Sequence, residues 1–179
     1  MDIIDELFGL FARYGDRDYG EDVTQTEHAL QAAHFAREAG EPDTLVVAAL
    51  LHDVGQFLRG AGEMAEREGR DARHEIGGAA MLERYFPLAV VAPIRLHVAA
   101  KRYLCAIDPA YHHGLSEASR LSLSLQGGLF SPEEAEDFIN LPFSAEAVRL
   151  RRYDDLGKQR DLAVQGLEAY RPLLQKIRL

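Results

Sequence analysis

Seven consecutive residues, Leu45-Val46-Val47-Ala48-Ala49-Leu50-Leu51, are apolar without interruption and lead directly into His52-Asp53. A helix that is apolar on every side has to lie in the middle of a domain, enclosed by other elements. The segment from about Asp43 to Phe57 is therefore expected to be a buried central helix that carries an imidazole and a carboxylate out of the core. Elsewhere apolar residues recur at three- and four-residue intervals, and no stretch alternates as a half-buried strand would. The expected architecture is an all-α bundle forming one domain over residues 1–179.

The flanking segments carry helix signals of their own. Ile3, Ile4, Leu7, Leu10 and Phe11 give a first helix one apolar face, ending near Gly15. Thr24-Gln25-Thr26-Glu27 has the form of a capping box, which places His28 in the opening turns of a second helix. Gly60, Gly62 and Gly69, interspersed with Glu63, Glu66, Arg67 and Glu68, read as an excursion that could act as a lid before a fourth helix begins near His74. A fifth runs from about Leu88 through Ala100, with Pro93 expected to kink or divide it. Ser116 opens a sixth that Gly127-Gly128 closes. Ser131-Pro132-Glu133-Glu134 opens a seventh, with serine as cap, proline at the first helical position and acids at the positive helix end. Two more follow, from about Ser144 to Asp155 and from about Asp161 to Leu174.

Charge and composition exclude several functions. With 20 basic against 29 acidic residues the formal net charge is −9, and there is no basic block to attract nucleic acid or an anionic membrane. The longest apolar run is far shorter than the roughly 20 residues of a membrane-spanning helix. The acidic start Met1-Asp2-Ile3-Ile4-Asp5-Glu6 lacks the basic opening of a signal peptide, so a cytoplasmic location is expected. The single cysteine, Cys105, has no intramolecular partner and is expected to be a buried structural thiol.

The chemistry resides in histidines and aspartates spread one to a helix. His28, His52, Asp53 and Asp154 can supply one metal ion, and His74 and His97, with Asp53 bridging, can supply a second. Imidazole and carboxylate donors suit iron, manganese or zinc, whereas cysteine-rich zinc and iron–sulfur sites are excluded. Adjacent His52 and Asp53 would diverge by about 100° on a helix, so both reach one place only at a helix end or if the carboxylate bridges two ions. Asp155 competes with Asp154 as the last ligand. His34 and the pair His112-His113 fall outside the pattern and are expected to be structural or solvent-exposed.

The ordered series His28, His52-Asp53 and Asp154 resembles the signature of the HD-domain superfamily, a helical metal-dependent fold. His74 and His97 are similar to the added ligands of its two-metal members. Four further blocks narrow the resemblance: Tyr19 to His28, His97 to Leu104, Ser124 to Gly128 and Arg151 to Lys158. Together they resemble the mixed-valence di-iron oxygenases that cleave 1-hydroxyphosphonates, the branch typified by enzymes acting on 2-amino-1-hydroxyethylphosphonate. Asp154 rather than Asp155 matches the family's spacing to Lys158.

The resemblance implies two iron ions, Fe(II) and Fe(III), with dioxygen as co-substrate and a small anionic phosphonate as substrate. The iron on His74, His97 and bridging Asp53 would chelate the substrate, making these three the catalytic set, while the other iron activates oxygen. C–P cleavage would release phosphate and a carboxylic acid, glycine or glycine betaine according to the substituent. Lys101, Ser119, Ser122, Arg151 and Lys158 match positions around the phosphonate, a group whose double charge calls for cations and hydroxyl donors. Lys101, the two serines and Arg151 are also open to plainer readings: a solvated helix face, surface hydroxyls, and an ion pair with Asp155 one turn on. The chain departs from the family pattern at two places: Gln56 stands where a histidine is expected, and Asp18 where a tyrosine is, with Tyr19 displaced by one. Asp18, Tyr19, Glu21 and Gln56 would surround the substituent end, where a carboxylate and an aromatic ring suit an ammonium or trimethylammonium group. A monomer or small homo-oligomer is expected. The alternative within the superfamily is a metal-dependent phosphohydrolase acting on a nucleotide or other phosphate ester. A non-catalytic domain binding an anionic ligand is a third reading, one that leaves the ligands without purpose.

Overall fold

In the computed structural model, residues 2–19, 22–58 and 69–179 are described. They contain no strand, only an isolated antiparallel bridge between Asp18 and Thr24. The helices are α1 (Ile3–Tyr14), α2 (Gln25–Glu38), α3 (Asp43–Leu51), α4 (His74–Leu82), α5 (Leu88–Ile107), α6 (Pro109–Gly114), α7 (Glu117–Leu125), α8 (Pro132–Ile139), α9 (Ser144–Leu156) and α10 (Arg171–Ile177). Short 3-10 turns cover Val54–Phe57 and Leu167–Tyr170.

α3 is the central helix, packed by α2, α5, α9 and α10. Every residue from Leu45 to Leu51 is buried. At roughly 1.5–3 kcal/mol for each large aliphatic side chain, this segment anchors the core. α1 lays Ile3, Ile4, Leu7 and Phe11 on the same core.

Local signals set most boundaries. At the start of α2 the Thr24 hydroxyl accepts from the Glu27 amide at 3.1 Å, while the Glu27 carboxylate accepts from the Thr24 amide at 2.7 Å. Ser131 and Glu134 repeat this reciprocal cap on α8. Gly127 and Gly128, at φ 97° and 73°, turn the chain after α7 in the left-handed region that glycine enters freely.

Three expectations need correction. The helix expected from Asp43 to Phe57 ends at Leu51; Asp53 takes φ −101°, ψ 8°, and a 3-10 turn follows. α5 runs unbroken to Ile107 with Pro93 inside it, because a proline in the second turn removes one backbone bond without displacing a helix fixed by Val90, Val91 and Ile94 in the core. The last helix begins at Arg171, not Asp161: Asp161 sits at φ 58°, Gly166 is extended, and only a 3-10 turn precedes Pro172. The short helix α6 was not foreseen. Asp108 caps it by accepting from the amides of Ala110 and Tyr111 at 3.0 and 3.2 Å. The lid reading, with Gly60, Gly62, Glu63, Glu66, Arg67 and Glu68, lies outside the described residues.

Candidate metal centre and anion-binding cavity

Five segments meet at one buried point. His28 comes from the first turns of α2, His52-Asp53 from the end of α3, His74 from the first position of α4, His97 from the middle of α5 and Asp154 from the last turn of α9. The break after Leu51 answers the divergence problem, since His52 and Asp53 leave the helix end rather than its wall.

The six side chains fall into two trios, His28–His52–Asp154 and Asp53–His74–His97, with all members buried. Asp53 joins them. Its Oδ2 lies 3.6 and 3.5 Å from the Nε2 atoms of His28 and His52, and its Oδ1 lies 3.1 and 3.7 Å from those of His74 and His97. Asp154 stands 3.5 Å from His28 and 3.9 Å from His52. Asp155 turns away to Arg151 and Tyr111.

The hydrogen bonds behind the histidines determine which nitrogen faces inward. Nδ1 of His28, His52 and His97 donates to the carbonyls of Gly157, Ala49 and Ile94 at 2.8, 2.8 and 2.7 Å, which turns the Nε2 of each ring into the site. Burial lowers the His28 pKa to about 4 and that of His97 to about 3, so both rings are neutral at physiological pH. The Nε2 atoms of His28 and His52 are 3.0 Å apart with both Nδ1 atoms already donating to carbonyls, and those of His74 and His97 are 3.1 Å apart, His74 also standing 3.1 Å from Asp53, which outweighs burial and raises its pKa. A cation placed within each trio would meet two such nitrogens and a carboxylate, a donor set that fits two metal ions. Burial alone would raise the Asp53 and Asp154 pKa values; imidazoles around Asp53, and Arg151 with His52 beside Asp154, outweigh it and hold both ionised.

A cavity of about 300 Å³ reaches this centre. Asp53, His74, His97 and Asp154 line it; His28 and His52, both 0 % exposed, do not. Its wall also carries Lys101, Ser119, Ser122, Arg151 and Lys158. Lys101, 2 % exposed, donates to Ser122 at 2.6 Å, and Lys158 donates to Ser119 at 2.9 Å. Burial, with Arg151 nearby, pulls the Lys101 pKa down to about 7. The surface readings of Lys101 and Ser119 thus do not hold, because both side chains are buried. Arg151 does pair with Asp155, yet it also donates to Asp154 at 2.7 Å and to Ser119 at 3.4 Å.

Asp18, Tyr19 and Gln56 line the same cavity, while Glu21 lies outside the described residues. The Tyr19 ring stacks on His28 with centroids 3.8 Å apart and planes at 17°, and its hydroxyl points to Asp154 at 3.5 Å. One ring face is therefore covered, and the Lys158 ammonium sits 5.6 Å from the ring centre. Gln25 and Gln126 also line the cavity, each with a buried side-chain oxygen that has no hydrogen-bond partner among the described residues. Sequence reasoning named neither as a site residue: Gln25 stood only as part of the capping box and Gln126 only within the block Ser124 to Gly128. His34 is half-buried, His113 exposed and Cys105 buried, as expected.

Helical segments converging on a His-Asp pair and two carboxylate–imidazole trios define an HD-type metalloprotein. A model of the HD domain matches residues 26–127, and the chain belongs to that family. It is 41% identical over 176 residues to the [1-hydroxy-2-(trimethylamino)ethyl]phosphonate dioxygenase (glycine-betaine-forming) of Leisingera caerulea, covering 98% of this chain and 90% of the relative. It is 45% identical over 168 residues to the hydroxymethylphosphonate dioxygenase of Gimesia maris, covering 93% and 84%. An uncharacterized protein, L432, of Acanthamoeba polyphaga mimivirus is 34% identical over 96% and 80%.

Proposed function

We propose that this protein is a di-iron oxygenase that cleaves the C–P bond of a small 1-hydroxyalkylphosphonate with dioxygen. For the general substrate, R–CH(OH)–PO3H2 + O2 gives R–COOH + H3PO4, a sum that balances without an external reductant. The observation that carries the reading is the cavity wall, where a cationic, hydroxyl-bearing arm begins one helical turn from His97. A substrate whose hydroxyl and phosphonate share one carbon spans those two features.

In this reading His28, His52 and Asp154 would hold one iron and His74 and His97 the other, with the Asp53 carboxylate shared between the two sets. Bound there, the ions supply Lewis-acid chelation and the redox chemistry of dioxygen. Lys101 and Lys158 neutralise the phosphonate, with Ser119, Ser122 and one edge of Arg151 fixing its oxygens. Holding the substrate in one orientation beside the centre is the chain's largest contribution to rate. Burial and the neighbouring carboxylates keep the Tyr19 phenol protonated, so it serves as a neutral donor toward Asp154. Asp18, Tyr19 and Gln56 border the carbon substituent, which is hydrogen, aminomethyl or trimethylammoniomethyl. A carboxylate at Asp18 favours the cationic groups.

The test uses protein loaded anaerobically with iron and offered hydroxymethyl-, 2-amino-1-hydroxyethyl- and 1-hydroxy-2-(trimethylammonio)ethylphosphonate. One dioxygen consumed per phosphate released from at least one of them is the expected result. Phosphate release from a phosphate ester without oxygen uptake, together with inertness toward all three phosphonates, would overturn the reading in favour of a hydrolase.

A further inference from the structure

We infer that Tyr111, which does not touch the cavity, is a positioning residue that sets the anion-binding arm through Asp155. The inference rests on the phosphonate reading above and concerns how that end of the site keeps its shape.

Two of the arm's three cations come from one short stretch. Arg151 lies on α9 and Lys158 just beyond it, and both face Asp155: the Arg151 guanidinium donates through Nε at 3.2 Å and through Nη2, and the Lys158 ammonium stands 3.9 Å away. An i,i+4 arginine–aspartate pair on a helix is by itself a weak constraint, of order a few tenths of a kcal/mol. Asp155 is also the least buried member, its side chain 25% exposed. Nothing within α9 would stop it from rotating into water and releasing both cations.

The restraint comes from another element. The Tyr111 hydroxyl donates to Asp155 Oδ2 at 2.5 Å and accepts from Arg151 Nε at 3.1 Å, closing a three-membered polar ring. Its backbone is fixed by the Asp108 cap of α6, whose carboxylate accepts from the Tyr111 amide itself. Its ring packs against the small apolar cluster of Cys105, Leu115 and Leu123, which also seats α7. α7 brings Ser119, the hydroxyl that receives both Lys158 and Arg151. Tyr111 thereby fixes Asp155, Asp155 orients Arg151 Nε and Nη2, and the remaining guanidinium edge stays directed to Asp154 and Ser119. One tyrosine ties the phosphonate end to the helix that bears a metal ligand.

The decisive variant is Tyr111→Phe, which keeps the ring in its cluster and removes only the hydroxyl. The expected outcome is about a tenfold weaker Kd, measured anaerobically by calorimetry with the best hydroxyphosphonate, and a matching rise in KM. kcat should change less than twofold, and metal content and Tm should be retained. Asp155→Asn should weaken binding similarly, and the double variant should be no worse than the weaker single, because both act through the same arginine. An unchanged Kd in Tyr111→Phe overturns the inference, as do multiplicative effects in the double variant or a loss of kcat and metal in proportion to affinity, the mark of a merely structural role. If the wild-type protein neither binds nor turns over any hydroxyphosphonate, the functional reading fails instead, and that outcome is recognised before any variant is made.

Discussion

Lys101 stands nearly stripped of water between α5 and α7, held by a single serine hydroxyl and facing the guanidinium of Arg151. Its ammonium loses charge as pH rises through about 7, far below the usual lysine range. A bound dianion favours the charged form, so binding near neutrality takes up a proton. Calorimetric heats of phosphonate binding should therefore depend on the ionisation enthalpy of the buffer, and affinity should fall from pH 6 to pH 9. Lys101→Gln should bind more weakly throughout and lose most of that slope. For stability the sign is opposite: the unfolded chain holds this proton more tightly between about 7 and the ordinary lysine value, so this residue makes stability rise with pH in that window. At this scale the sequence was most legible where chemistry selects residues: the six side chains expected as metal ligands lie together. Residue types alone left orientation open. Between Asp154 and Asp155 the choice depends on the roll of α9, and only the family spacing to Lys158 favoured Asp154; the burial of Lys101 depends on α7 lying over it.

Gly55 shows how the elements impose that geometry. A Cβ added there would fall 2.0 Å from the His74 carbonyl oxygen and 2.8 Å from the Gly78 amide nitrogen. The 3-10 turn after Asp53 thus rests directly on the first turn of α4, which is how His74 comes within 3.1 Å of the bridging carboxylate. Gly55→Ala must push these backbones apart, at an expected cost of about 1–3 kcal/mol. Thermal unfolding should occur roughly 3–10 °C lower, and the variant should bind fewer than two metal ions per chain by elemental analysis, whereas Gly166→Ala, in open space, should do neither. Elements with reciprocal caps, α2 and α8, were readable because a side chain and a backbone amide announce the same boundary. The stop at Leu51 was not, since apolar periodicity runs on through Val54 and Phe57 and only the docking of α4 selects a tighter turn. Asp108-Pro109 carries the same cap-and-proline signal as Ser131-Pro132, yet α6 was not read from it.

The whole molecule presents a two-metal centre with a front and a back. Among the described residues, no helix is long and apolar enough to cross a membrane, and the order of segments along the chain was sufficient to indicate a helical HD domain. That the cavity would take in the whole of one trio but only Asp154 of the other was invisible in the sequence, because it depends on which sides of α2 and α3 the remaining helices cover. His28 and His52 are 0 % exposed, against 9% for His74. This asymmetry dictates a sequence of departure. An ion seated against His28 and His52 meets the cavity through Asp154 alone among its ligands, so a chelator should strip the holoprotein in two phases of equal amplitude, the slower one accelerating with mild denaturant. A single phase, with both ions lost together, would mean that the rear compartment breathes as freely as the front.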